Sequence, residues 1–168
     1  MGVRFIDIKL RESLIGHCSF VRSVIDSCVK DYHDDDLFKS FPHAYCDLAS
    51  IWLHDYLYFK GYNDIQFRSK MPFTKDSEGN HVWLHLSGYN LDITCDQFNN
   101  QTNNYPCVIV ATDYELDGLY ISPDEIAKRN DKVLLEYGPL KLAFYPEIQI
   151  EQEIVYNKLN IEFHYSLI

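Results

Sequence analysis

The chain has 168 residues, 46% of them hydrophobic and 15% aromatic, with a formal net charge of −10 and a pI of about 5.0. This length suits one domain over 1–168 with a sizeable core, and the apolar content excludes a disordered chain. The acidic balance argues against a general nucleic-acid binder, which is usually basic, and gives repulsion from anionic membranes and polyphosphates.

The first stretch, MGVRFIDIKLRESL, lacks the apolar core and small-residue cleavage site of a secretory signal. No run of about 18 apolar residues occurs, so no membrane-spanning helix is expected. Gly2 follows Met1, but Ile6 stands where a myristoylation signal needs Ser or Thr. The cysteines, Cys18, Cys28, Cys46, Cys95 and Cys107, form an odd set without CxxC or metal-ligand spacing. They read as reduced thiols, in the cytoplasm or, for a delivered bacterial effector, in the cytosol of a target cell.

Apolar positions at Leu14, Ile15, Cys18, Val21, Val24, Ile25, Cys28 and Val29 predict a helix over 10–30. The DYHDDD run after it reads as a solvated helix end or loop; a cation site with His33 would need a shaped loop. Pro42 precedes HAYCDLASIWLHDYLYFKGYND, a second and largely buried helix that Gly61 stops. Cys46 falls in its first turn or two. From about residue 63 the period shifts towards two. Strands are predicted near 63–69, 81–86, 89–94, 106–111, 133–137, 140–148 and 160–166. Loops are expected at 74–80 and 99–104, and Ser122-Pro123-Asp124-Glu125 opens a short helix. Helices first and strands afterwards predict an α+β domain, its N-terminal helices packed on an antiparallel β-sheet.

The segment HVWLHLSGYNLDITCDQF, 81–98, reads as a hairpin turning at Ser87-Gly88. Leu86 then faces Tyr89, His85 faces Asn90, Trp83 faces Asp92 and His81 faces Thr94. One face is a core face of Val82, Leu84, Leu86, Tyr89, Leu91 and Ile93. The other displays His81, Trp83, His85, Asn90, Asp92 and Thr94, where an ordinary wet face would carry Thr, Lys and Glu. Asp92 is a diagonal neighbour of both His81 and His85, within reach of either ring. A carboxylate there fixes an imidazole tautomer and stabilises the imidazolium, for a structural histidine as for a catalytic one. Cys46, near a helix N-terminus, is favoured as thiolate by the helix dipole, and the local N–H groups suit an oxyanion.

The order Cys at a helix start, His opening a strand and Asp in the next strand resembles the transglutaminase-like branch of papain-type cysteine enzymes. The residues that carry the resemblance are Phe41-Pro42-His43-Ala44-Tyr45-Cys46, Ala49-Ser50, His81-Val82-Trp83 and Asp92-Ile93-Thr94. Asp96-Gln97-Phe98 also looks like bacterial relatives in which the DxT element runs on to Gln-Phe. The resemblance covers 41–98, the proposed catalytic core segment, and implies a transglutaminase-like (papain-like) core. It implies Cys46 as nucleophile, His81 as base and acid, and Asp92 as the residue that orients the ring. No Gln precedes Cys46 where papain-type enzymes often place their oxyanion side chain, and Gln97 is not assigned that role.

The reaction so implied is acyl transfer through a thioester on a protein or peptide: proteolysis, deamidation or transamidation. It calls for no cofactor, no metal, no nucleic acid and no membrane. Three rivals stand beside it. His85 with Asn90 offers a Cys–His–Asn version. A catalytically inactive papain-like fold would serve as a protein-binding module, with Tyr56, Tyr58 and Tyr62 at a partner surface. His81, His85 and Asp92 would make a metal site only with a further ligand.

Overall fold

In the computed structural model, which describes residues 7–35, 37–70, 81–100, 104–112 and 146–161, the chain is a mixed α+β protein. Helix α1, Ile8–Asp31, starts where the Asp7 carboxylate accepts from Leu10 N at 3.1 Å. Its buried residues Leu14, Cys18, Val21, Ile25 and Cys28 recur every three or four positions and form one apolar stripe. Helix α2, Cys46–Phe59, is buried over most of its circumference, through Leu48, Ala49, Ile51, Trp52, Leu53, Tyr56 and Leu57. Gly61 ends it at φ +90, a left-handed conformation without steric cost for glycine, while Tyr62 N reaches back to Leu57 O at 3.0 Å.

Four antiparallel strands follow in the order β1 (Gln66–Lys70), β2 (His81–Leu86), β3 (Tyr89–Asp92) and β4 (Ile109–Ala111). The hairpin between β2 and β3 turns on Ser87 (φ 51) and Gly88 (φ 89), the two positive φ values of a type I′ turn. Its register pairs Leu84 with Leu91, His85 with Asn90 and Leu86 with Tyr89, as the alternation predicts. Leu84, Leu86, Tyr89 and Leu91 join the helices in one hydrophobic core. Full burial of each such side chain contributes about 1.5–3 kcal/mol. Ser50 Oγ donates to Val82 O at 3.2 Å and ties α2 to β2, one helical turn beyond Cys46. Arg11 Nε donates to Val110 O at 3.2 Å and fastens α1 to β4.

The strand predicted over 140–148 is overturned from Pro146 onward. Pro146–Leu159 is a helix, α3, with proline in its first turn. The alternating isoleucines of EIQIEQE imitate a strand, but the buried residues Glu151, Gln152, Val155, Tyr156 and Leu159 follow helical spacing. Val155, Tyr156 and Leu159 pack into the same core as α1 and α2, so described helices both precede and follow the four strands in the sequence. The strand at 133–137, the loop at 74–80 and the helix start at 122 lie outside the described residues, as do 140–145 and 162–166. Among the described residues no helix is long and apolar enough to cross a membrane.

Candidate active site

The polar face of the hairpin is not a wet face. His81 is 0% exposed, and Trp83, Asn90, Asp92 and Thr94 are each 1% exposed. A 3-10 turn, Cys95–Phe98, doubles back over this face. Trp83 and Cys95 make a second small apolar cluster there with Phe98, Tyr105 and Ile109. A buried polar group without a partner is costly, and on this face Asn90 Nδ2 is left without one among the described residues.

His81 Nε2 and Asp92 Oδ2 lie 2.6 Å apart, which realises the diagonal pairing. Asp92 Oδ1 accepts from Thr94 N at 2.8 Å and from Thr94 Oγ1 at 3.2 Å. The spacing of Asp92-Ile93-Thr94 thus has a local cause: the residue two positions on supplies two donors that hold the carboxylate. The second ring nitrogen of His81, Nδ1, lies 3.0 Å from Gln97 Nε2. Trp83 stacks against the ring at 5.7 Å, and Phe98 meets it edge-on at 4.8 Å.

The Cys46 thiol, at the first residue of α2, also hydrogen-bonds the His81 side chain. Burial on its own would depress the imidazolium. The Asp92 charge, its hydrogen bond and the Cys46 thiol outweigh burial and push His81 up from its ordinary value to about 9. Cys46 is buried as well, at 6% exposure against 0% for His81 and 1% for Asp92. All five cysteines are thiols, and only Cys107 is exposed. Cys18 lies in α1 near Asp92; burial, and then the Asp92 charge, push it up to about 12, so it stays protonated.

The structure therefore brings Cys46, His81 and Asp92 together. His85 is only half-buried, and its opposite residue Asn90 turns its carbonyl oxygen to Trp83 Nε1 at 3.2 Å. The carboxylate and the thiol both meet His81. Among the described residues no group of three or more His, Cys, Asp or Glu side chains is arranged to hold a metal ion.

Two features of the site escaped the sequence reading. Gln97 stands on the ring nitrogen opposite Asp92; its place in DQF, one residue beyond DxT, was the signal, but only the 3-10 turn aims it. The other is Arg22, a buried guanidinium on α1. It donates to both Asp96 oxygens at 2.8 Å, to Asp26 at 2.9 Å and to Ile93 O at 2.7 Å, under the Phe41 ring at 4.7 Å. Burial opposes its charge, but the Asp96 and Asp26 bonds hold it above its ordinary value. The three residues Asp96, Gln97 and Phe98 thus address Arg22, the Nδ1 atom and the His81 ring in turn.

Helix α3 supports the entrance to α2. Glu151, 4% exposed, accepts from Phe38 N at 2.7 Å and from Tyr45 Oη at 2.8 Å. Tyr45 directly precedes Cys46, so this carboxylate fixes the residue next to the thiol. No protein-family model matches the sequence, and neither a curated protein nor a solved structure matches it.

Proposed function

We propose that the protein is a thiol-dependent acyl transferase or amidohydrolase with a transglutaminase-like core, acting on a protein or peptide. One observation carries this reading: a single buried imidazole is bonded to a carboxylate and to the thiol at the start of a helix. Asp92 favours a His81 imidazolium, and the Cys46 sulfur stands at the positive end of α2. The thiolate attacks the carbonyl carbon of an amide, forming a C–S bond. The charge that develops on oxygen meets the positive end of α2. His81 gives its proton to the departing amine as the C–N bond breaks, which leaves a thioester on Cys46. His81 then takes a proton from water or from an acceptor amine as that nucleophile attacks the thioester. The acyl group leaves with it, and the thiolate and imidazolium return. Water gives hydrolysis or deamidation; an amine gives transamidation.

The test is alkylation of Cys46 by iodoacetamide near pH 6, followed by mass spectrometry of the labelled residue. The reading expects Cys46 to react faster than the exposed Cys107, with the advantage lost in His81→Ala. Labelling of Cys46 no faster than Cys107 would overturn it and favour a binding module. A Cys46→Ala pull-down then seeks the substrate.

A further inference from the structure

Building on the thiol reading, we infer that Gln97 is a positioning residue that sets the tautomer of His81 and weakens its imidazolium. The Gln97 carboxamide nitrogen has two hydrogens. One is directed at Thr94 O, 3.1 Å away. Turning the amide over would set its oxygen against that carbonyl, two acceptors face to face. The amide therefore presents its other hydrogen to His81 Nδ1 at 3.0 Å, and Nδ1 accepts. The neutral ring keeps its proton on Nε2, where it donates to Asp92 Oδ2 at 2.6 Å.

A proton on Nδ1 would face the amide donor head-on. Gln97 thus opposes the charged ring that Asp92 and Cys46 favour. The groups that meet the ring come from four elements: Asp92 from β3, Cys46 from α2, Trp83 from β2 itself, and Gln97 and Phe98 from the 3-10 turn. Cys18 of α1 senses Asp92, and the charge of Asp96 is taken up by Arg22. That bidentate clamp holds the turn, and with it the amide. With Nε2 committed to Asp92, Nδ1 is the nitrogen that the thiol and the amide share, and a thiol proton received there meets the amide donor. A peptide carbonyl that accepts the Gln97 N–H would release Nδ1 and strengthen the ion pair.

The experiment is long-range ¹H–¹⁵N NMR of the histidine rings in the full chain, for wild type, Gln97→Ala and Gln97→Glu. Cys46 alkylation is followed over the same pH range. Above its titration the wild-type His81 ring should carry its proton on Nε2. Gln97→Ala removes an opposing donor and should raise the His81 midpoint by about 0.5–1 pH unit. Gln97→Glu keeps the shape but accepts from Nδ1–H, so its midpoint should rise further. The acid limb of Cys46 alkylation should move to lower pH in both. A proton on Nδ1 in the neutral wild-type ring, or midpoints that stay or fall in both variants, overturns the inference. Midpoints that rise while Cys46 reacts no faster than Cys107 uphold the Gln97 role and overturn the enzyme reading. Fast, His81-dependent Cys46 with unmoved midpoints does the reverse.

Discussion

Asp92→Asn probes the site at its most constrained point. The substitution keeps volume and shape, and Thr94 dictates how the new amide sits. Thr94 N and Oγ1 both donate to Oδ1, so the asparagine must leave its oxygen there and turn its NH2 towards His81. Nε2, now facing a donor, becomes the acceptor, and the ring proton moves to Nδ1. That nitrogen can no longer take the Cys46 proton, and its N–H collides with the Gln97 amide at 3.0 Å. The charge effect acts in the same direction. Burial remains while the carboxylate is gone, so His81 falls from about 9 to its ordinary range or below. Each pKa unit is worth about 1.4 kcal/mol, so roughly 3 kcal/mol of preference for the thiolate–imidazolium pair disappears. Alkylation of Cys46 at pH 6–7 should slow on the order of 100-fold, measured as a second-order rate constant in a Cys107→Ser background. Loss of the charge-assisted bond should also lower stability by about 1.5–3 kcal/mol in urea titration. A rate within about threefold of wild type, in a folded variant, would refute the reasoning about both tautomer and charge.

Arg22→Met leaves Asp96 and Ile93 O without their buried partner and should cost about 3 kcal/mol or more in urea unfolding. Arg22→Lys should recover only part of this, because an ammonium lacks the fork that bridges both Asp96 oxygens; a lysine variant as stable as wild type would contradict the clamp. Glu151→Ala strands Phe38 N–H and Tyr45 O–H and should destabilise by about 2–4 kcal/mol, whereas Glu151→Gln retains an acceptor and should cost less. His81 is raised on folding, so the stability it confers is fully present below about pH 6.5 and is lost as pH rises through about 9. The stability difference between wild type and His81→Gln should therefore shrink over that window. A difference that grows with pH would show that the sign is wrong.

The parts of this site that were legible in the sequence are those with local causes. Alternation and the Ser87-Gly88 turn set the hairpin register, and register alone makes His81 and Asp92 diagonal neighbours. The helical period after Pro42, closed by Gly61, put Cys46 at a helix start. What stayed hidden depends on contacts between distant segments. Arg22 reaches Asp96 across 74 residues of sequence, and nothing near either residue announces it. The burial of the polar face depends on Phe98, Tyr105 and Ile109 arriving over Trp83. Helix α3 was predicted only as the end of a strand over its first three residues and not at all beyond them, and its helical state follows from Val155, Tyr156 and Leu159 packing on α1 and α2.

Placing an imidazolium–carboxylate pair in a dry pocket carries a desolvation cost of several kcal/mol per ion, which good geometry offsets but seldom exceeds. Apolar side chains of similar volume would fill the space between Trp83 and Phe98 at least as well for stability alone. The chain instead keeps a carboxylate with three donors, an imidazole with both nitrogens engaged and a thiol beside it. Tyr45 is anchored through Glu151, and the turn is anchored through Arg22. A histidine that served only packing would need the Asp92 bond but would have no use for a thiol at a helix N-terminus. Nor would it need a carboxamide held in one orientation by Thr94 O. These two groups both bear on the proton of His81, and that is the reason to read the cluster as chemistry rather than packing.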